Sequence, residues 1–310
     1  MAIRSCLFFF LLAGADFAQS PQSIVITSAA SFQPGLPPKG SIGTAFCTGL
    51  QMQGVVSAVG YPLPRTLSGI SITVGGALAP IFSVAEGAGY QQINFQVPQE
   101  AMLNQQDGTW TVAVVQNGSR ITAQVATVQS PGDFFRIASS FGAFQHAADF
   151  SLVTEQNPAQ SGEVLVGYLT GLPESRPAIP TGEATPLSPL FVVPQFNVAG
   201  LVDQFAVLLN GTVAANSCPV INTPCPATSI LFLGLTPGTV GVYQVNFVVP
   251  ASTESGNMIV RLQRSRCVNL FGTPCTSVDF NANATVGCKS SATGATREVC
   301  TSEAVLLPVR

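Results

Sequence analysis

Charge and histidine are both scarce in this chain. Of its 310 residues, 9% are Asp, Glu, Lys or Arg, and the formal net charge is −3. Nucleic acids and anionic membranes are bound through basic faces, so the composition argues against both kinds of partner. The one histidine is His146, and its nearest acid in sequence is Asp149. Nothing beyond residue type favours catalysis there, and the segment is more typical of a connecting turn.

Familiar catalytic and cofactor motifs are also missing. The sequence contains no Gly-x-Ser-x-Gly, His-Glu-x-x-His, phosphate-binding loop, dinucleotide-binding or Asp-rich calcium motif. We therefore expect a protein that is not an enzyme and that holds no cofactor and no metal. The paired carboxylates of a glycosidase leave no signature in one sequence, so a carbohydrate-active protein remains an alternative.

The amino-terminal 18 residues have the layout of a secretion signal. Arg4 precedes an apolar run at 6–13, and small residues follow at Ala13, Ala15 and Ala18. Cleavage after Ala15 or after Ala18 fits this pattern. Further along, no apolar stretch reaches the roughly 18 residues of a membrane span. We expect a secreted protein, located outside the cell, on its surface or in the periplasm.

The remaining composition predicts an all-β protein. Twenty-nine Gly, 23 Pro and 46% hydrophobic residues combine turn formers with strand formers. A mature chain of about 290 residues is too long for one sandwich of about 100. We predict two tandem immunoglobulin-like β-sandwiches after the signal (1–18), the first at 19–132 and the second at 133–310, joined near residues 131–148.

A seven-residue motif, Gln-x-Asn-Phe-x-Val-Pro, occurs at 92–98 and again at 244–250. The period-2 rule places Ile93, Phe95 and Val97 on a core face and the amides of Gln92, Asn94 and Gln96 on a wet face. We expect the amides to brace a loop or the domain junction rather than to bind a ligand. The predicted structural residues of the two copies are Gln92, Asn94, Phe95, Pro98, Gln244, Asn246, Phe247 and Pro250.

Two further landmarks recur in the same order. An apolar strand that ends in Thr-Gly-Leu occupies 42–50 and 164–172, and tight turns follow at Gly75-Gly76 and Asn210-Gly211. Such dipeptides favour type I′ hairpins. The clearest hairpin joins strands at 109–115 and 121–128 through Asn117-Gly118. Trp110 lies in its first strand, on the face of Val112 and Val114, and is predicted to be core.

The second half differs from the first by insertions that carry cysteines. Gly76 and Gln92 are 16 residues apart, whereas the matching Gly211 and Gln244 are 33 apart, and the chain beyond Pro250 is long as well. In an exported protein such cysteines form disulfides, and six of them allow 15 pairings. Because each insertion holds an even number, we prefer the pairs Cys218–Cys225, Cys267–Cys275 and Cys288–Cys300.

Zinc is the competing interpretation of these cysteines. The spacing argues against it, since no Cys-x-x-Cys occurs and His146 is distant in sequence. Cys47 is left over and is predicted to be a buried, inert thiol. Tyr61, in a proline-rich loop, is a weak contact candidate. Glycosylation sequons begin at Asn117, Asn210 and Asn283, but the first two are explained by their hairpin turns.

Several ordered motifs resemble one family. They are Ser-Ala-Ala-Ser-Phe-Gln-Pro-Gly at 28–35, Pro-Lys-Gly-Ser at 38–41, Pro-Leu-Pro-Arg-Thr-Leu at 62–67, Tyr-Leu-Thr-Gly-Leu at 168–172, and both copies of the seven-residue motif. Together they resemble the uncharacterised C-terminal domain family of Solibacter and other acidobacteria. The resemblance implies an exported protein without an assigned activity, and it supplies no catalytic residue.

We therefore expect a secreted binding or scaffold protein. Rigid sandwiches commonly recognise partners through loops, so the cysteine-bearing loops of the second domain are predicted to bind a protein or a cell-surface glycan in adhesion or interaction. Two alternatives remain open: a carbohydrate-active protein, either glycan-binding or hydrolytic, and a passive spacer of the envelope or matrix.

Overall fold

A computed structural model describes residues 23–138, 140–194, 196–198, 201–216, 230–268, 287–293 and 295–310. All regular structure in these ranges is β-strand, in 21 strands. The all-β prediction is confirmed. No helix in the described ranges is long and apolar enough to cross a membrane. The predicted signal, residues 1–18, lies outside them.

The first half folds into two antiparallel sheets. One has the order β1-β2-β7-β6-β3 and the other the order β5-β4-β8-β9. Their strands are β1 Ile24–Ser28, β2 Ile42–Cys47, β3 Val55–Ser57, β4 Ile70–Val74, β5 Ala77–Leu78, β6 Ile81–Glu86, β7 Gln91–Gln96, β8 Trp110–Gln116 and β9 Ser119–Val125.

The second half repeats this plan on a larger scale. One sheet has the order β10-β12-β17-β16, with β11 also paired to β12, and the other has the order β13-β14-β18-β20-β19, with β15 on β14 and β21 on β18. The strands are β10 Asp133–Phe134, β11 Phe144–His146, β12 Val164–Thr170, β13 Phe196–Val198, β14 Leu201–Leu209, β15 Thr212–Asn216, β16 Phe232–Leu235, β17 Tyr243–Val248, β18 Gly256–Val268, β19 Gly287–Thr293, β20 Ala295–Thr301 and β21 Val305–Val309.

Each pair of sheets encloses its own hydrophobic cluster. The first cluster includes Ile72, Phe95 and Val112, and all its members lie between residues 26 and 121. The second includes Phe247 and Val260, and its members lie between residues 134 and 309. Both clusters draw on strands of two sheets, which is the arrangement of a β-sandwich.

The sequence repeat is a repeat of strand register. Phe95 is opposite Gly43 and Asn94 is opposite Thr44 across β7 and β2. In the second half, Phe247 is opposite Leu165 and Asn246 is opposite Val166 across β17 and β12. On the other edge, β6 and β16 occupy matching positions beside the motif strand. Both copies of the motif are therefore inner strands paired along both edges.

The face prediction for the motif holds for its apolar residues and fails for one amide. Ile93, Phe95 and Val97 are all fully buried. Gln92 and Asn94 are half-buried on the other face, but Gln96, predicted to be wet, is 5% exposed. Each motif strand ends two residues before its proline, as expected of a residue that cannot donate to a ladder.

The segment predicted to join the halves, residues 131–148, contributes two strands to the second half. Both β10 and β11 pair with β12, and Phe134 and Phe144 are buried in the second cluster. The connecting turn predicted at 144–150 is confirmed in part: residues up to His146 form β11, and a turn follows at 147–149, where the Phe150 N–H donates to the His146 carbonyl. Aromatic residues here gain more by packing on β12 than the segment would gain as exposed linker.

The long second-half insertion beyond Pro250 extends an existing strand pair. In the first half, β8 and β9 end at the turn Asn117-Gly118, where Gln116 faces Ser119. In the second half, β18 first pairs with β21 up to Val260 and then continues with β20 from Gln263 to Val268. The added strands β19 and β20 therefore prolong the sheet past the point where the first half turns back. We call this addition the strand extension.

The predicted tight hairpins have the backbone that their sequences require. Both central residues have positive φ at Gly75-Gly76 (52° and 83°), at Asn117-Gly118 (49° and 82°) and at Asn210-Gly211 (47° and 81°). Left-handed conformations cost an ordinary residue roughly 1–2 kcal/mol, so Gly and Asn are favoured there.

Two substitutions in one turn test how closely this hairpin packs. A β-carbon at Gly75 would overlap the backbone of Met102, whereas one at Gly76 meets nothing within 4 Å. We expect Gly76→Ala to lower the free energy of unfolding by about 1 kcal/mol through φ strain alone, and Gly75→Ala by about 3 kcal/mol or more. Urea denaturation of both variants measures the difference. Equal losses would contradict the predicted close approach.

Candidate functional site

The repeated amides of the motif bond to each other along the strand. Gln92 Nε2 donates to Asn94 Oδ1 at 3.0 Å, and Gln244 Nε2 donates to Asn246 Oδ1 at 3.2 Å. Asn94 also bonds across the sheet, accepting from Thr44 Oγ1 and donating to Ser83 Oγ. Residues two apart share a face of a strand, which explains the Gln-x-Asn spacing by sheet structure.

Gln96 connects the two halves. Its Oε1 accepts from the Gly182 backbone N–H at 2.7 Å, and its Nε2 donates to the Gly40 carbonyl at 3.2 Å. Beside it, Thr181 Oγ1 donates to Glu100 Oε2 at 2.7 Å and accepts from the Gln99 N–H. The hydrogen bond from Thr181 is the main cause that lowers the pKa of Glu100.

Two other buried groups tie the halves together. Thr170 Oγ1 accepts from the Ile42 N–H at 2.9 Å and donates to the Gly241 carbonyl, and the Gly171 N–H donates to Ser41 Oγ. Asp133, 2% exposed, accepts from Ser31 Oγ at 2.7 Å, from Ser130 Oγ and from the Glu303 N–H. These bonds bring the halves into direct contact through groups that water does not reach.

Substitution of Gln96 tests the contribution of this junction to stability. We expect Gln96→Val, which copies the residue at the matching position Val248, to lower the free energy of unfolding by about 3 kcal/mol, because a buried N–H and a buried C=O both lose their partner. Gln92→Val is the matched control and should lower the free energy of unfolding by about 1 kcal/mol. Gln92 is half-buried, and its side chain makes one hydrogen bond, to the side chain of Asn94. Urea unfolding of both variants measures this, and equal losses would rule out the bridging role.

One of the three preferred disulfides lies wholly within the described residues. Cys288 and Cys300 face each other across β19 and β20 and are bonded, 12 residues apart in sequence. Cys267 is also disulfide-bonded, but its predicted partner Cys275 lies outside the described residues. So does the predicted pair Cys218–Cys225. The Cys288–Cys300 disulfide thus links β19 and β20, the two strands of the strand extension.

The same residues answer the zinc alternative at this site. Cys288, Glu298 and Cys300 offer ligand atoms within 4.8 Å of one another. Zinc is held by thiolates, and a disulfide supplies none. The geometry of these three residues is therefore that of a stapled hairpin.

Cys47 is a free thiol and fully buried, as predicted. Burial raises its pKa to about 12, so almost none of it is the reactive thiolate at about pH 8. We expect iodoacetamide to leave the peptide with Cys47 unmodified in the folded protein and to label it in concentrated guanidinium chloride. Ser57→Cys, at an exposed position of β3, should be labelled in both conditions. If iodoacetamide labelled Cys47 in the folded protein as fast as it labels the cysteine of the Ser57→Cys variant, Cys47 would not be inert.

The ring of His146 joins β11 to two other segments through its two nitrogens. Its Nδ1 lies 3.0 Å from Glu163 Oε2, and its Nε2 lies 3.3 Å from the Asn157 carbonyl oxygen. Asp149, its nearest acid in sequence, instead accepts from the Ser151 N–H, and this bond is the first cause that lowers the pKa of Asp149. The ring holds a loop in place.

Trp110 is 9% exposed and belongs to the first cluster, which confirms the core prediction. Its Nε1 donates to Thr127 Oγ1 at 3.0 Å. Tyr61 is 51% exposed. The side chain of Asn210 accepts from the Ile259 N–H and donates to Met258 Sδ, which accounts for it structurally. Asn283 lies outside the described residues.

A groove in the second half concentrates charge in a chain that has little. It holds about 540 Å³, and five of the ten residues that line it are charged, against 9% in the whole sequence. We call it the charged groove, and its charged residues are Glu174, Arg176, Asp203, Arg264 and Arg266. Its other walls are Pro173, Ser175, Pro177, Ala178 and Pro194.

The floor of the charged groove is formed by β14 and by the part of β18 that pairs with the strand extension. Met258, Val260 and Leu262 face the second cluster from β18, and the same alternation continues as Arg264 and Arg266. Asp203 and Phe205 lie opposite them on β14. The row that is apolar inside the sandwich becomes charged where the sheet passes beyond its core.

Arg264 and Asp203 form a rigid, largely buried pair in this floor. Arg264 Nε donates to Asp203 Oδ1 at 2.7 Å, and Nη2 donates to Oδ2. The guanidinium also lies over the Phe205 ring, 5.7 Å from its centroid. A two-pronged bond with a stacked guanidinium fixes the orientation of both side chains.

The remaining wall is a loop anchored at both ends. Arg176 pairs with Val192 through both backbone groups, and Pro173 accepts a hydrogen bond from the hydroxyl of the buried Tyr243. Sequence reasoning missed this groove, because its charged residues come from positions 174–176, 203 and 264–266. The signal that points to it is the change from an apolar to an arginine row along one strand.

The comparisons with known proteins give little further information. No protein-family model matches the chain, and no curated protein matches it. Among solved structures, the C-terminal domain of the AgI/II polypeptide BspA of Streptococcus agalactiae shares 9% identity, with 93% of this chain and 100% of that chain covered and a TM-score of 0.19. A chain titled "BspA_C_mut" gives 9% identity and a TM-score of 0.18, with 94% and 99% covered. The acidobacterial resemblance stays a prediction from motifs.

Proposed function

We propose that this chain is an exported, non-enzymatic binding protein that recognises its partner at the end of the second sandwich formed by the strand extension. The observation that carries the proposal is the different ending of one strand pair. The first half closes it with a two-residue turn at Asn117, whereas the second half prolongs it and staples it with Cys288–Cys300. Among the described residues between Leu262 and Val305, none belongs to the second hydrophobic cluster.

Export agrees with the oxidised cysteines. Disulfides persist in extracellular or periplasmic compartments and are rare in the cytosol. A loop closed by a disulfide also loses less conformational entropy when it binds, because it is ordered beforehand. The Cys288–Cys300 bond thus suits a recognition surface.

The test removes the strand extension and leaves the sandwich. Replacing residues 265–299 by Asn-Gly, with Cys300→Ser, joins Arg264 to position 300, which it faces across β18 and β20, and copies the turn at Asn117. The wild-type chain and this variant are screened on a glycan array, on immobilised extracellular-matrix proteins and envelope polymers, and in a parallel polysaccharide-hydrolysis assay. Circular dichroism and thermal denaturation establish that the variant folds.

We expect saturable binding by the wild-type chain, loss of that binding in the shortened variant, and no hydrolysis by either. Binding that survives the deletion would place recognition elsewhere. Hydrolysis would favour the carbohydrate-active alternative, and an absence of saturable binding would favour the passive spacer. If the variant does not fold, Ser290→Arg, which places a bulky charged side chain at an exposed position of β19, serves as the point substitution.

A further inference from the structure

We propose that the charged groove binds a carboxylate of an acidic peptide segment, held by Arg266 and Arg176. This inference rests on the proposed function, because it names the ligand chemistry of the same end of the second sandwich. The argument depends on which arginines of the groove are already neutralised.

Arg264 is not available to a ligand. Both its Nε and its Nη2 are bound by the two oxygens of Asp203, and its side chain is only 20% exposed. Asp203, in turn, is 7% exposed and has both oxygens occupied. This pair forms a neutral floor beneath the groove.

Arg266 and Arg176 carry the charge that is left. The side chain of Arg266 is 44% exposed, and its Nε lies 4.0 Å from Asp203 Oδ2, beyond hydrogen-bond distance. Arg176 is exposed, and only its backbone is bonded among the described residues. Three arginines against the two acids of the lining leave an excess positive charge, although the chain as a whole is negative.

A planar guanidinium favours carboxylates, because its donors form a fork that matches two oxygens. The charge of the groove therefore favours a carboxylate, and its walls determine whether a peptide or a sugar can present that carboxylate. Pro173, Pro177, Pro194 and Ala178 present compact apolar surface, and the one aromatic ring at the floor, Phe205, is fully buried beneath Arg264. No aromatic face among the lining residues is open to a sugar ring, which favours a peptide with acidic side chains.

The experiment uses the full chain with its disulfides oxidised. Fluorescence anisotropy follows an amino-terminally labelled peptide of alternating glutamate and proline, and a glutamine-proline peptide of the same length is the matched ligand. A fluorescent oligogalacturonate provides the same carboxylate on a sugar. The variants are Arg266→Ala, Arg176→Ala and Arg266→Lys, and the control is Arg120→Ala, which removes an exposed arginine from β9 in the first half.

We expect the glutamate peptide to bind at least about tenfold more tightly than the glutamine peptide, and high salt to weaken it. Arg266→Ala and Arg176→Ala should each weaken binding by about fivefold or more, Arg266→Lys by less, and Arg120→Ala not at all. Unchanged thermal midpoints should show that the exposed substitutions leave the fold intact.

Three results would overturn the assignment. They are equal affinity for the two peptides, wild-type affinity in both Arg266→Ala and Arg176→Ala, or tighter Arg266-dependent binding of oligogalacturonate than of the glutamate peptide. The proposed function fails separately, when deletion of residues 265–299 leaves partner binding unchanged. A partner lost on deletion but retained by Arg266→Ala would refute the carboxylate site alone.

Discussion

The pairing of each motif strand along both of its edges is the constraint on which the rest of each sandwich depends. Strands β7 and β17 each lie between two partners in matching register. A slip by one residue would turn Phe95 or Phe247 out of the core and bring a polar amide into it. Burial of the phenylalanines on one face and amide bonds on the other fix the strand, and the strand then fixes its neighbours.

The alternation of apolar and polar residues, together with turn dipeptides and cysteine spacing, was enough to predict the features that depend on nearby sequence. The all-β class, the core face of the motif, the positive-φ turns, the burial of Trp110 and Cys47, and the Cys288–Cys300 bond all follow from patterns within a few residues or from spacing. Gln96 could not be placed this way, because its burial comes from Gly182, 86 residues away. Strands β10 and β11 are two and three residues long, too short for a period to appear. The charged groove assembles residues from three separate parts of the chain, and one sequence does not show that they meet.

The two halves are not equivalent: the second half contains the charged groove, and contacts from the first half support one of its edges. The groove wall begins at Pro173, two residues after Gly171. The Thr170 side chain and the Gly171 N–H bond to Ile42 and Ser41 of the first half. Tyr243, on the second motif strand, bonds to the carbonyl of Pro173 itself. The first sandwich and the second motif strand therefore both support one edge of the groove, while β14 and the part of β18 that pairs with the strand extension form its floor.

The single tryptophan has a practical consequence for studies of this molecule. Trp110 is buried in the first cluster with its indole N–H bonded to Thr127, and the second half has none. Its intrinsic fluorescence therefore reports the environment of the first sandwich only, whereas far-ultraviolet circular dichroism averages over both. Comparing the two signals during denaturation measures whether the sandwiches unfold as one cooperative unit or in succession.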